Sequence, residues 1–163
     1  MRISTPVVWV RRSRVVTLVV ALMLALGLFQ APAASAEGGY RLKLLRLLNA
    51  SREKHGLKTL RPDASLNKDA THHTRRMLRR NQLFDPHDLA RMLSDEPWDD
   101  VGASVVGCAN TLKDLHRALM RHRPHREIVL HPKLRLVGIG VVKTDSANAC
   151  HRGWFLATEL FYG

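Results

Sequence analysis

The first 36 residues differ sharply from the rest of the chain, and they limit how much of it enters a folded domain. They contain arginines but no acidic residue, and an apolar run extends from Val15 to Phe29. The small residues Ala34-Ser35-Ala36 then precede Glu37. A basic start, an apolar middle and a small-residue site are the three regions of a secretory signal peptide, so residues 1–36 are predicted to be removed after Ala36 and the remainder to be secreted and extracellular.

An uncleaved membrane anchor is the alternative interpretation of this segment, because about 15 apolar residues approach the length that crosses a bilayer. The pair Arg11-Arg12 raises the twin-arginine route, but Ser13-Arg14 follows where an apolar pair is expected, so general secretion is favoured. No second apolar run of spanning length occurs in the sequence. We therefore expect no stable membrane span once the signal is removed.

Residues 37–163 are expected to form a single domain. Loss of the four arginines of the leader lowers the formal charge from +12 to +8, so this part stays basic. A chain of this size buries about two thirds of its unfolded surface, which is enough for one core without metals. The apolar content of 45% excludes a disordered tail, and two cysteines exclude a four-cysteine zinc module.

The two cysteines, Cys108 and Cys150, are predicted to form a disulfide, because a secreted protein folds in an oxidising compartment. Such a bridge would remove denatured-state entropy worth roughly 4 kcal/mol. The alternative is a pair of reactive thiols or metal ligands. That role needs a neighbouring base or a CxxC-like spacing, which the sequence lacks.

Periodic apolar residues predict three helices. The first carries a leucine stripe and ends at Gly56, and the second begins after Asp63 or Ser65 as its cap. His73 lies on the apolar stripe of the second helix and is expected to be a hydrogen-bonded core histidine. Thr111 is expected to cap a third helix, which a turn at Pro124 closes.

Three further segments predict strands: Val101–Val106, Leu134–Lys143 and Trp154–Tyr162. The second alternates with period two and contains Gly138 and Gly140, which predict the close approach of another element. The pattern as a whole predicts an α/β protein in which three or four helices surround a small antiparallel sheet.

Several short motifs occur in a fixed order along residues 44–162. They are Leu47-Leu48-Asn49-Ala50-Ser51-Arg52, Phe84 with His87, Trp98-Asp99-Asp100-Val101-Gly102, His125-Arg126, Val137-Gly138-Ile139-Gly140-Val141 and Glu159-Leu160-Phe161. In order and spacing they resemble the CAP or SCP-like secreted domain of cysteine-rich secretory proteins, plant pathogenesis-related proteins and venom allergens, and above all its short bacterial members. The resemblance implies an α-β-α sandwich with an antiparallel sheet of about three strands.

The resemblance also implies a central cleft in which two histidines and two glutamates hold a divalent ion such as zinc. His87 and His125 match the two histidines, but Ala103 and Ser104 stand where the family has Glu and Asn. Alanine has no donor atom, and the second glutamate is not identifiable. We therefore expect a degraded metal site and no cofactor, the alternative being a zinc site in which His122 joins the two histidines.

The sequence contains no nucleophile-elbow motif and no paired acids at a glycosidase spacing. We therefore expect a non-enzymatic binding module, with a metal-dependent hydrolase centred on His87 and His125 as the alternative. Because some relatives carry apolar ligands, the resemblance implies a lipid or a sterol as one candidate ligand. The oligomeric state stays open.

Two basic clusters favour a second kind of partner, an anionic polymer of the cell envelope. The first lies on the second helix, and the other follows the third; they comprise Arg75, Arg76, Arg79 and Arg80, and Arg117, Arg121, Arg123 and Arg126. Repulsion between like charges one helical turn apart would be relieved by a polyanion. Interleaved aromatic residues are missing, which argues against nucleic acid, and a solvated basic surface is the other interpretation.

Overall fold

A four-stranded sheet separates two layers of helices in this protein. The computed structural model describes residues 33–93, 101–145 and 150–163. Its elements, in chain order, are α1 (Ala33–Lys54), β1 (Arg61–Pro62), α2 (Ala64–Arg80), α3 (Leu89–Met92), β2 (Gly102–Ala109), α4 (Leu112–Arg121), α5 (Arg123–Val129), β3 (Leu136–Lys143) and β4 (Phe155–Tyr162). Most of the predicted signal peptide and Trp98-Asp99-Asp100 of the motif series lie outside the described residues.

Residues Ser35–Gly163 form one compact unit. Within the described ranges, none of the helices combines the length and apolar character needed to cross a membrane. Helix α1 begins at Ala33, so the predicted cleavage point after Ala36 falls in its first turn.

The sheet has the strand order β1-β3-β4-β2, with β4 between β3 and β2. Strand β4 is antiparallel to both neighbours, and Glu159 lies between Val105 on one side and Ile139 on the other. The predicted antiparallel sheet of about three strands is confirmed. Strand β1 adds two residues that pair in parallel with β3, and its Pro62 concealed it in the sequence.

Helix α2 packs on β3 at backbone contact distance. A Cβ atom built on Gly138 would lie 2.2 Å from the carbonyl carbon of Leu66, and one built on Gly140 would lie 2.2 Å from the carbonyl oxygen of Ala70. Side chains other than hydrogen do not fit in this space. The predicted close approach at the two glycines is therefore confirmed, and α2 is the element that makes it.

The other face of the sheet is covered by α1, α4 and α5. Alternate residues of the strands enter this core, together with leucines of α1 and α4 and Val129 of α5. A separate cluster on the α2 side contains Met77, Val106 and Leu156. Helices therefore bury apolar residues against both faces, and the predicted α-β-α sandwich is confirmed.

The helix boundaries follow local sequence signals with one exception. Asp63 caps α2, its Oδ1 accepting from Leu66 N at 2.9 Å, and Thr111 caps α4, its Oγ1 accepting from Asp114 N at 3.0 Å. The third predicted helix, α4, ends at Arg121 as a break near Pro124 predicted, but Pro124 itself forms no turn. Pro124 lies in the first turn of α5, where a missing backbone N–H removes no helical hydrogen bond.

A disulfide joins Cys108, near the end of β2, to Cys150, which precedes β4. Their Cα atoms are 6.1 Å apart, and Cys150 packs with Met77 and Leu156. The predicted pairing is therefore confirmed. It fixes the segment that enters the central strand.

Candidate functional site

Two of the predicted cleft residues, His122 and His125, meet at the junction of α4 and α5. Their rings pack edge to face with centroids 4.4 Å apart. Burial, and next the neighbouring His122, lower the pKa of His125. Both effects favour the neutral imidazole of His125, which offers one donor and one acceptor instead of a charge.

These two histidines border an apolar groove of about 330 Å³. Helix α4 contributes Leu115, Ala118 and Leu119 to its lining, β2 contributes Val106, and Leu83 reaches it from the segment after α2. Leu83 is 42% exposed, one of two large apolar side chains with such exposure in the described part of the chain. The groove thus combines carbon walls with a polar imidazole edge, as small-molecule sites commonly do.

His87, the other predicted cleft histidine, lies apart from this lining. It is exposed, and its ring stacks on Phe84 with an interplanar angle of 10° and a centroid distance of 6.0 Å. The guanidinium groups of Arg76 and Arg80 lie 5.7 and 5.5 Å from the same Phe84 ring. Phe84 therefore organises a small cluster of cations and imidazole at the end of α2.

Ala103 and Ser104 are neighbours in β2 and face opposite sides of the sheet. Ala103 borders a second cavity of about 340 Å³ together with Ile128 and His131. Ser104 pairs with Leu160 across the sheet, on the α2 side. His125 and Ala103 thus border different cavities, and neither lining includes His87 or Ser104.

Among the described residues, the side chains predicted for the metal site do not make up a ligand set for zinc. Residue 103 contributes only a methyl group where the family has a carboxylate. Within the described ranges, no group of three or more His, Cys, Asp or Glu side chains has an arrangement that could hold a metal. The hydrolase alternative therefore finds no ligand set among these residues to build on.

His73 occupies the buried centre of the α2 face. Its Nδ1 lies 3.0 Å from Thr158 Oγ1, and its ring meets Phe84 edge to face at 5.1 Å. Its Nε2 is buried and has no hydrogen-bond partner among the described residues. Burial, followed by the charge of Arg76, lowers the pKa of His73 to about 4. The expected core histidine is thus buried and neutral, but only one of its nitrogens is hydrogen-bonded.

Glu159 is the ionisable group that sequence reasoning missed. It is 0% exposed on the central strand, and neither carboxylate oxygen has a partner among the described residues. Burial raises its pKa to about 8, so it is mostly protonated at neutral pH. The only sequence signal is its position in the β4 alternation, which places it on the face shared with Ala157 and Phe161.

The predicted basic face of α2 is not uniform. Arg75 pairs with Glu37 at 3.0 Å, and Arg76 is half-buried and pairs with Asp88 at 3.2 Å. A hydrogen bond from Arg91, with a further one from Arg76, lowers the pKa of Asp88 to about 2. Arg79 and Arg80 are both exposed, and the guanidinium of Arg80 lies over Phe84. Acids distant in sequence therefore neutralise half of the basic face.

Comparison with known proteins gives relatives of the same fold. The uncharacterized protein YkwD of Bacillus subtilis (strain 168) is 29% identical over 122 residues, which cover 70% of this chain and 47% of YkwD. This chain thus spans about half the length of that relative.

Solved structures agree in fold at low identity. An outer surface protein of Borrelia burgdorferi matches with a TM-score of 0.63 at 16% identity, covering 76% of this chain and 92% of that one. A cysteine-rich secretory protein of Staphylococcus aureus subsp. aureus Mu50 matches with a TM-score of 0.62 at 20% identity, covering 78% of this chain and 39% of that one.

The model of the cysteine-rich secretory protein family, CAP, matches residues 45–158, which include every described strand and helix from the body of α1 to the middle of β4. The order of helices and the antiparallel sheet agree with that match. This chain belongs to the CAP family of cysteine-rich secretory proteins.

Proposed function

We propose that the protein is a secreted, non-enzymatic CAP domain that binds an apolar ligand, such as a lipid chain, at or outside the cell envelope. The groove between α4 and β2 is the single observation that carries this proposal. Its volume of about 330 Å³ is within the range of small-molecule sites, at the lower end. A slender acyl chain matches such a space better than a fused-ring molecule.

The chemistry of the lining supports an apolar ligand with a polar end. Leucine and valine side chains form the walls, and burying apolar surface there stabilises a complex by about 25 cal/mol per Å² before the costs of association. His125 is kept neutral by burial, so it can hydrogen-bond a carboxyl or hydroxyl end group of the ligand. No step of bond breaking is part of this function.

Secretion is supported by the signal-like leader and by the nature of related proteins. The Borrelia burgdorferi neighbour is described as an outer surface protein, and the Bacillus anthracis neighbour, with a TM-score of 0.59, as an extracellular protein containing an SCP domain. A secreted CAP domain would meet lipids released from membranes or held in the envelope.

An anionic envelope polymer is the second candidate partner. Arg80 on α2, and Arg121 and Arg126 near the α4–α5 junction, have exposed side chains that a polyanion could reach. Binding of this kind weakens steeply as salt rises, whereas burial of an acyl chain does not. Salt dependence therefore separates the two candidates.

The lipid proposal is tested with a substitution at the rim of the groove that fills the space for the ligand. Ala118 is exposed on α4 and borders the groove, so Ala118→Trp places an indole in the ligand space without replacing a core residue. Calorimetric titration of the wild type with dodecanoate is expected to show saturable binding. We expect the variant to bind at least about tenfold more weakly, since loss of about 1.4 kcal/mol has that effect.

Ala50→Trp is the matched control, because Ala50 is also an exposed helical alanine but lies on α1, away from the groove. It is expected to bind as the wild type does, and wild-type affinity is expected to hold between about 50 and roughly 500 mM salt. Absence of dodecanoate binding, or equal affinity of the Ala118→Trp protein, would refute the groove as the site.

A further inference from the structure

A polar cleft of about 520 Å³ lies between α1 and α2, beside strand β3. The cleft and the apolar groove lie beside different strands. The cleft is next to β3, on the β1 side of the central strand β4, whereas the groove is next to β2, at the opposite edge of the sheet. The side chains that matter for its chemistry are Arg41 from α1 and Asn67, Lys68, Thr71 and Arg75 from α2. These residues converge although about 30 positions separate Arg41 from Thr71 in sequence.

Arg41 is held in place before any ligand arrives. Its Nε donates to the carbonyl oxygen of Ile139 at 2.8 Å, and its Nη2 donates to Thr71 Oγ1 at 3.2 Å. A guanidinium has five N–H donors, so these two bonds leave others for the cleft that Arg41 lines. A fixed arginine loses little side-chain entropy when it binds an anion.

Asn67 is oriented by the same residue of β3. Its Oδ1 accepts from the backbone N–H of Ile139 at 2.8 Å. Because a backbone N–H only donates, the amide oxygen must face the strand, and the Nδ2 group must face away from that bond. Asn67 borders the cleft, and its Nδ2 group is the donor that it has to offer to a ligand there.

The charges of the cleft favour an anion. Lys68 is exposed at its border, and Arg75 reaches it while pairing with Glu37. Glu37 already neutralises Arg75, so Arg41 and Lys68 are the cationic side chains left for a ligand, against Asp69 as the acid of the lining. The Arg75–Glu37 pair shows that this wall already holds a carboxylate oxygen at 3.0 Å.

We propose that the α1–α2 cleft binds the phosphate group of a ligand. Donors from two helices approach one space from different directions, which suits a tetrahedral oxyanion with several acceptor oxygens, and arginine is the side chain best matched to phosphate. This proposal is independent of the apolar groove, since no residue of one lining belongs to the other. A free phosphate compound and a phospholipid headgroup present the same chemistry.

The decisive variant is Asn67→Asp. The new carboxylate still accepts from Ile139 N–H, so the bond to β3 is preserved, but the Nδ2 donor is replaced by an acceptor with negative charge. The purified protein is titrated with inorganic phosphate while the NMR chemical shift of the Arg41 Nε–H is measured. We expect the change in this shift to saturate. We expect Asn67→Asp to weaken binding at least about tenfold, because it replaces a hydrogen-bond donor to a charged group with a like charge.

Lys68→Ala provides a second variant at an exposed position, where folding is unaffected. The loss of one exposed charge is expected to weaken phosphate binding about two- to fivefold. Arg79→Ala is the matched control, because it removes one charge from the same helix outside the cleft lining. It is expected to change affinity less than about twofold.

The source of the phosphate is distinguished by vesicles of phosphatidylglycerol and of phosphatidylcholine at equal salt. If phosphatidylglycerol vesicles retain the protein and inorganic phosphate releases it, the ligand is a lipid headgroup. If the protein binds phosphate but the vesicles do not retain it, the ligand is a soluble phosphate compound. The proposal is overturned if Asn67→Asp binds inorganic phosphate as tightly as the wild type, if Arg79→Ala weakens binding as much as Lys68→Ala, or if the wild type binds no phosphate.

Discussion

Arg52 and Glu159 are both completely buried, yet the protein surrounds them in opposite ways. The Arg52 guanidinium donates four hydrogen bonds to backbone carbonyl oxygens, at 2.7–3.3 Å, on Lys58, Val129, His131 and Leu134. The Glu159 carboxyl group has no partner for either oxygen within the described residues. The fold thus engages four of the five N–H donors of Arg52, whereas it gives the carboxyl group of Glu159 no partner among the described residues.

The two groups are tolerated inside the protein for different physical reasons. Burial lowers the pKa of Arg52, but arginine stays protonated, so its charge must be matched by carbonyl dipoles. Glu159 avoids the cost of a buried charge by holding its proton, since burial raises its pKa to about 8. Arg52 therefore joins the end of α1 to the segment around α5 and β3, whereas Glu159 makes the core sensitive to pH.

The largest effect is expected from Arg52→Met, which keeps much of the length of the side chain but removes all its donors. Buried carbonyl oxygens left without donors cost about 1–3 kcal/mol each, so we expect unfolding free energy to fall by more than about 3 kcal/mol. Urea denaturation measures it. Arg46→Met, at an exposed position of the same helix, is expected to change stability by less than about 0.5 kcal/mol. Equal losses in both variants would remove the distinction drawn for Arg52.

At neutral pH an intermediate effect is expected from Glu159→Gln, and its size grows with pH. The folded pKa of about 8 lies above the ordinary value of 4.5, so the folded state keeps a proton that the unfolded state loses first. The wild type is therefore most stable below pH 4.5 with respect to this group, and it loses stability until the pH passes 8. Relative to the wild type, the variant should gain up to about 1.4 kcal/mol per pH unit between about pH 5 and 8.

The measurement is a series of urea unfolding curves for both proteins from about pH 5 to 8.5, which spans the window of the Glu159 titration. Taking the difference between them cancels the titration of the histidines, including His73, whose folded pKa of about 4 acts in the opposite direction. A stability difference that does not vary with pH would mean that Glu159 is ionised in the folded protein.

The smallest effect is expected from Ser51→Ala. Ser51 Oγ lies 2.7 Å from Nε2 of His116. Nδ1 of His116 already has no partner among the described residues, so the variant leaves both ring nitrogens of this histidine without a hydrogen bond there. A loss of about 1 kcal/mol follows from one hydrogen bond. Ser51→Thr keeps the hydroxyl and is expected to retain most of the wild-type stability, so a larger loss for Thr than for Ala would show that packing dominates at this position.

Local signals in the sequence were sufficient where the cause was local. The caps Asp63 and Thr111 act within three residues, and the alternation around Gly138 and Gly140 predicted both a strand and a tight approach. The two-residue β1 carried no periodicity, and Pro124 was open to two interpretations, since proline suits a turn and the first turn of a helix equally well.

The sites depend on contacts between distant residues, and these could not be read from the sequence. The basic face of α2 is divided because Glu37, 38 positions before Arg75, reaches it. The apolar groove needs Leu83 and α4 to meet, and the surroundings of Glu159 depend on how the helices cover β4. The resemblance to the family implied the two histidines, but it did not show that Ala103 and His125 border different cavities.

The close backbone contact between α2 and β3 has a further consequence for how the sequence of this protein can vary. Atoms of the main chain set the height of the helix above the strand, so substitutions of core side chains elsewhere cannot lift or lower it. Asn67, His73 and Arg75 all belong to that helix. Variation among descendants of this sequence is therefore expected to alter which groups α2 displays while leaving their positions in space almost constant.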